Sequence, residues 1–261
     1  MKAYLSIFRV HFISVLQYRS AAFAGILTQF AWGFMLVLMF NAFYQSNPSA
    51  FPMGLSQVTD YIWLQQAFLN LFAVWIFDNS IFTSVTDGQI AYELVRPLSL
   101  YKHWFAKTLA FRSARTLLRC FPPLIVALFL PEPYGLSISQ HLPLFLLTML
   151  LSTCLVIAFL MLIYISTFYL LSSTGIRTLV MTIGDFLTGG IIPLPFLPDS
   201  IQHVIELTPF GLMQNVPLRV YSGDITEWTI IFPQLFWLIT LIVFGQLFMK
   251  NALTRVVIQG G

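Results

Sequence analysis

The chain has 261 residues, 58% of them hydrophobic and only 9% charged, where a soluble domain carries about 25% charged residues. That balance excludes a soluble globular domain and marks an integral membrane protein of one compact domain's length. A net charge of +3 is too small to imply nucleic acid, and Cys120 and Cys154 sit in apolar runs without metal-ligand spacing to a histidine, as small packing residues do.

In chain order, residues 1–19, within MKAYLSIFRVHFISVLQYRS, form an expected amphipathic helix. Leu5, Phe8, Phe12 and Leu16 recur at helical spacing, and Lys2, Ser6 and Arg9 share another face. The helix either lies in the cytoplasmic interface with its basic residues among headgroups or is a positively charged anchor. The first apolar run then extends from Ala21 to Tyr44. It is too long for a signal-peptide core, so a retained span is expected and no cleavable signal.

Further spans of the roughly 20 residues that a bilayer requires are expected at Tyr61–Phe77, Arg112–Leu130, Leu142–Leu171, Thr178–Leu197 and Trp228–Phe248. The fold class is therefore all-α and polytopic, with six transmembrane helices in a single domain. Six spans place both termini on one side. With both termini in the cytoplasm, twelve of the 13 basic residues lie inside and only Arg219 outside, which is the arrangement that the positive-inside rule selects. Glu132, Asp199, Glu206, Asp224 and Glu227 then all lie outside. No internal repeat is evident, which speaks against transporters built from inverted repeats.

Between spans two and three lies a charged stretch, Ser84–Trp104. Thr86 and Gln89 form a T-x-x-Q capping box, with Asp87 in the first turn where the helix dipole favours an acid. Ile90, Ala91, Leu94 and Val95 give an apolar stripe; Gln89, Glu93 and Arg96 line the opposite side, with Glu93 and Arg96 able to pair. Pro97 stops the helix. A helix this short is marginal in water, so it rests on the bilayer or the span ends, or serves as a docking surface for a cytoplasmic subunit.

Arg112, Arg115 and Arg119 share one helix face, with Arg119 about 10 Å deeper than Arg112. They either snorkel to the cytoplasmic headgroups or form a basic stripe that attracts an anion at the cytoplasmic entrance. Asp185 is the acid set well inside an expected span. It serves a pathway or gate, or it caps the span's end and pairs with Arg177. TGGIIPLPFLP cannot continue as a regular helix, so a re-entrant break is expected near the external face, opening a region over residues 189–227. Ile201, Val204 and Ile205 give the next piece an apolar face. The chain has no G-x-x-x-x-G-K-[ST] phosphate loop, no H-E-x-x-H and no G-x-S-x-G elbow.

The order of these features resembles the ABC-2 permease family, the membrane subunits of type-2 ABC exporters. The resemblance covers nearly the whole chain, through DGQIAYELVRPLS, GGIIPLPFLPDSIQHVIELTPFGLMQNVPLRVYSG and ALTRVVIQGG. Its most specific pieces are the G-x-I-x-x-x-L-x-R-P run and the L-P-x-x-I-x-x-x-x-x-x-x-P-F segment. The terminal Gly260-Gly261 is similar to a subgroup of half-size bacterial permeases. The family implies that residues 84–104 are a coupling helix gripped by an ATPase subunit. That role falls on Thr86, Gly88, Ile90, Glu93, Leu94, Arg96 and Pro97. It also implies that the external region 189–227 is a gate, and that the chain is a non-catalytic permease in the bacterial plasma membrane, among membrane lipids. A second permease, identical or homologous, would complete the pathway, and two ATPase copies would bind ATP and Mg. Arg112, Arg115, Arg119 and Asp185 are the candidate pathway or gate residues. Two rivals stay open: a secondary transporter using Asp185 as an ion site, and a membrane enzyme acting on lipid.

Overall fold

A computed structural model describes residues 2–46, 51–170 and 172–254. Arg255 and the Gly260-Gly261 pair lie outside the described residues. All regular structure among the described residues is helical. Three helices are long and apolar enough to cross a membrane: Ala22–Ser46, Leu142–Ser166 and Trp228–Leu253. They correspond to α2 (Arg19–Ser46), α9 (Leu142–Ser166) and a 3-10 turn running into α14 (Ile231–Leu253).

The buried axis of the fold is α9. Leu155, Val156, Ile157 and Ala158 are consecutive and all fully buried, which only a helix packed on every side permits. One of its neighbours, α14, presents Phe232, Phe236, Ile239, Val243 and Leu247 outward. On α2, Phe23, Leu27 and Leu38 are likewise exposed. Continuous exposed apolar surface of this extent is what a membrane covers.

The other three expected spans are interrupted. The second is α3 (Leu55–Ala67), which breaks at Phe68, resumes for one turn as α4 (Leu69–Phe72) and then loses helical form. The third falls on two helices: α7, which begins before the expected span and covers Leu100–Arg119, and α8 (Phe121–Phe129), which follows after a kink at Cys120. Pro122 and Pro123 lack the amide hydrogens that would bond back into α7, so the ladder ends there. Between α3 and α7 lie two short helices, α5 (Asn79–Thr86) and α6 (Ile90–Leu94).

The fifth span breaks as its sequence demands. After α10 (Thr174–Leu179) comes a π-helical turn, Val180–Gly184, and a single turn, α11 (Asp185–Leu187). Helix then gives way, with Gly189 at φ 80°, a left-handed conformation that glycine adopts without penalty. Carbonyls freed inside an apolar environment need protein partners. Here Gly189 O accepts from Tyr61 Oη at 3.1 Å and from Gln214 Nε2 at 3.3 Å, and Gly190 O accepts from Gln65 Nε2. The break is thus buried and hydrogen-bonded against α3. Beyond it, α12 (Asp199–Glu206) and α13 (Asn215–Tyr221) are clamped by Arg219, which meets Glu206 at 2.6 Å and Asp224 at 2.5 Å. Of the expected apolar face of α12, Ile205 is buried while Ile201 and Val204 are exposed.

At the N-terminus, α1 (Lys2–Leu16) packs along α7. Its half-buried residues are Tyr4, Ile7, Phe8, His11, Phe12, Val15 and Leu16, and the Ser99 amide donates to Tyr4 Oη at 3.0 Å. Of the expected apolar stripe, Phe8, Phe12 and Leu16 are half-buried and Leu5 is 70% exposed. Burial, reinforced by Lys107, pulls the His11 imidazole below its ordinary pKa, which suits its inward position.

Candidate functional site

Two neighbouring features carry the expected site residues: the segment from α5 to the start of α7, and a cleft above it.

The segment is organised differently from its helical-wheel reading. The Thr86–Gln89 capping box is not formed. Thr86 is the last residue of α5, and its hydroxyl lies within reach of Thr83 O at 3.4 Å and Asp87 Oδ1 at 3.1 Å. The Asp87 amide donates to Thr83 O at 2.9 Å, and Gly88 follows at φ 72°. A glycine in the left-handed region just past a helix is a termination signal, and here it overrides the cap pattern. The working cap lies upstream, where Asp78 Oδ1 accepts from the Ser80 amide at 3.0 Å.

Glu93 does not pair with Arg96. Its Oε2 accepts the Trp104 indole hydrogen at 2.8 Å and lies 3.8 Å from His103 Nδ1. Burial, opposed by Glu93, lowers the His103 pKa. Trp104 is fully buried and stacks on Phe168 with ring centroids 5.9 Å apart. Glu93 therefore belongs to the inner face with Ile90 and the half-buried Leu94. The outer face is Gln89, Tyr92, Val95, Arg96 and Pro97, with Tyr92 75% and Val95 80% exposed. Val95 was expected inside. Because α6 spans only Ile90–Leu94, the helical register drawn from Thr86 does not reach it.

Trp104→Phe keeps the ring and removes the donor to Glu93. Losing one hydrogen bond to a charged group costs about 1.5–3 kcal/mol, so amide exchange over Ile90–Leu94 should quicken by at least about tenfold. Unchanged exchange would mean that Trp104 does not hold the segment in place.

Arg112 departs from the pathway expectation. Its side chain is fully buried. Nη1 donates to the carbonyls of Asn70 at 3.0 Å and Leu71 at 2.9 Å; Nη2 donates to Ala73 at 2.9 Å and Ile76 at 2.7 Å. These are the carbonyls released where α4 ends, and one planar guanidinium gathers all four. Arg112 thus closes the break in the helix where the second span was expected. The hint available in the sequence was the polar Gln65, Gln66 and Asn70 within that span.

Arg115, Arg119 and Asp185 do come together. They line a cleft of about 1040 Å³ bounded by α2, the α3–α4 elbow, α7 and the α10–α11 region. Arg115 lies over the Phe111 ring at 4.9 Å, and Arg119 packs so closely on Gly25 of α2 that a Cβ there would overlap its guanidinium. Asp185 and Trp75 both line this cleft. Asp185 does not pair with Arg177, whose Nη2 donates to Asn79 Oδ1 at 2.8 Å while its guanidinium lies 4.8 Å from the Phe82 ring centre.

Arg177, read from the sequence as a possible partner of Asp185, enters from α10, and two lining residues that the sequence did not single out, Gln29 and Asn70, are buried in the wall. Gln29 Nε2 donates to Gln66 O at 2.7 Å; among the described residues its Oε1 has no hydrogen-bond partner, and neither polar atom of the Asn70 side chain has one. Asp60 was also missed. Its buried carboxylate accepts the Ser137 amide at 2.7 Å, tying α3 to the loop after α8.

Three guanidinium groups against one carboxylate make the cleft attractive to anions. No curated protein matches the chain. A family model described as ABC-2 family transporter protein matches residues 12–260.

Proposed function

The chain belongs to the ABC-2 transporter family, and from that premise we propose that it is the permease subunit of an ATP-driven exporter. It crosses a bacterial plasma membrane six times with both termini inside, the interrupted helices serving as spans two, three and five. The region 84–104 then lies in the cytoplasm and receives a separate ATPase. Two copies of that ATPase bind ATP and Mg, and a second permease, identical or homologous, faces this one across the pathway. This chain supplies the path and the transmission of motion, and no hydrolysis.

The observation that carries this reading is the construction of the α5–α7 segment. Glu93 and Ile90 fasten it inward, while Tyr92, Val95, Arg96 and Pro97 stand outward. Exposed tyrosine and arginine on a fixed base are what a protein interface uses as anchors. A push on that face passes through Glu93 and Trp104 into α7, which bears Arg112, Arg115 and Arg119.

Proteoliposomes containing the permease and its ATPase test the reading. Transport should require hydrolysable ATP and survive ionophores that abolish ion gradients. Transport that collapses with the gradient and ignores ATP would establish a secondary transporter. Turnover of a lipid by the purified chain alone would establish an enzyme.

A further inference from the structure

The cleft between α2, the α3–α4 elbow, α7 and α10 has a polarity gradient along its length. Its lining holds Arg115 and Arg119 of α7 and Arg177 of α10, and Arg119 lies against Gly25, where the α2 wall with Thr28 and Gln29 begins. Close packing of Arg119 on Gly25 fixes these two helices at the same level. Farther along α2 the wall becomes Trp32, Met35, Leu36 and Met39, with Ile191 and Ile192 opposite from the broken fifth span. From Gly25 to Met39 the helix rises roughly 21 Å. One leaflet's hydrocarbon is about half of 30 Å, so a headgroup and a chain fit end to end. A volume of about 1040 Å³ is at the upper end for small-molecule pockets.

Three guanidinium groups offset by Asp185 leave an excess of two positive charges, which suits a head bearing one or two negative charges. Guanidinium forks match phosphate oxygens. Methionines at Met35, Met39 and Met181 line the wall and adapt to a flexible chain.

We propose that this cleft binds a membrane amphiphile with a phosphate-type anionic head, the head at Arg115, Arg119 and Arg177 and the hydrocarbon chain along Trp32, Met35, Met39, Ile191 and Ile192. The proposal rests on the permease reading only in making this amphiphile the cargo; the binding itself requires neither ATPase nor transport.

The test is native mass spectrometry of the purified permease alone. It is titrated with phosphatidylglycerol, with phosphatidylcholine of the same chains, and with glycerol phosphate as a competitor. Phosphatidylglycerol should bind at least about tenfold tighter than phosphatidylcholine, and glycerol phosphate should fail to displace it. Arg115→Gln combined with Arg177→Gln should reduce the preference to less than about twofold. Arg115→Gln alone and Arg177→Gln alone should each reduce the preference in the same sense even if the double variant fails to fold. Equal binding of the two lipids, or a preference that survives these substitutions, overturns the proposal. Displacement by glycerol phosphate at similar concentration overturns the amphiphile in favour of a free anion. Failure to find an ATPase would leave these binding results standing and remove only the word cargo.

Discussion

Arg112→Met should remove most of the folded protein from detergent extracts, whereas Arg115→Met should not. Four carbonyls at the end of α4 converge on the Arg112 guanidinium. Each buried carbonyl left without a donor costs about 1–3 kcal/mol, so the substitution costs at least about 4 kcal/mol. Folded proteins are stable by only about 5–15 kcal/mol. Arg112→Lys keeps the charge but offers a point donor in place of a planar fork, and should fall between the two. The measurement is the monodisperse fraction on size exclusion after a heating series, with the order wild type, Lys, Met. A methionine variant as stable as wild type but dead in transport would instead return Arg112 to the pathway.

The second large effect is expected at the outer face of the α5–α7 segment. Tyr92→Ala with Arg96→Ala should weaken ATPase association by at least about thirtyfold, since anchor residues of these types typically contribute 2 kcal/mol or more. Thermal stability of the permease should be unchanged, because both side chains are exposed. Glu93→Ala should act differently. It loosens the segment from Trp104 and shows first in amide exchange, with a smaller loss of association. Equal losses from both variants would mean that Glu93 contacts the partner directly.

These two predictions mark where the sequence was readable. Uninterrupted apolar length made α2, α9 and α14 legible, and Gly189-Gly190 with the following prolines announced the break in the fifth span. The early start of α7 was hidden, because its first half is polar and looks like loop. Yet His103, Lys107 and Thr108 are buried there by elements that come from elsewhere in the chain, α1 among them. The elbow between α3 and α4 was hidden for a related reason. It is tolerable only because Arg112, some forty residues away, satisfies its carbonyls, and no local pattern records such a partnership. The direction of Glu93 likewise depends on Trp104, eleven residues on and in another helix. Of the candidate pathway residues, Arg115, Arg119 and Asp185 share one cleft, while Arg177, Gln29 and Asn70 joined them through tertiary packing alone.

The central claim is that another subunit's ATP energy enters this chain through residues 84–104. The direct measurement is affinity capture of the tagged permease from its native membranes, beside the Tyr92→Ala, Arg96→Ala variant at equal expression. The account predicts that the wild type recovers a protein bearing a G-x-x-x-x-G-K-[ST] phosphate loop and that the variant loses it. Recovery of no such protein, or its undiminished recovery with the variant, would contradict the account.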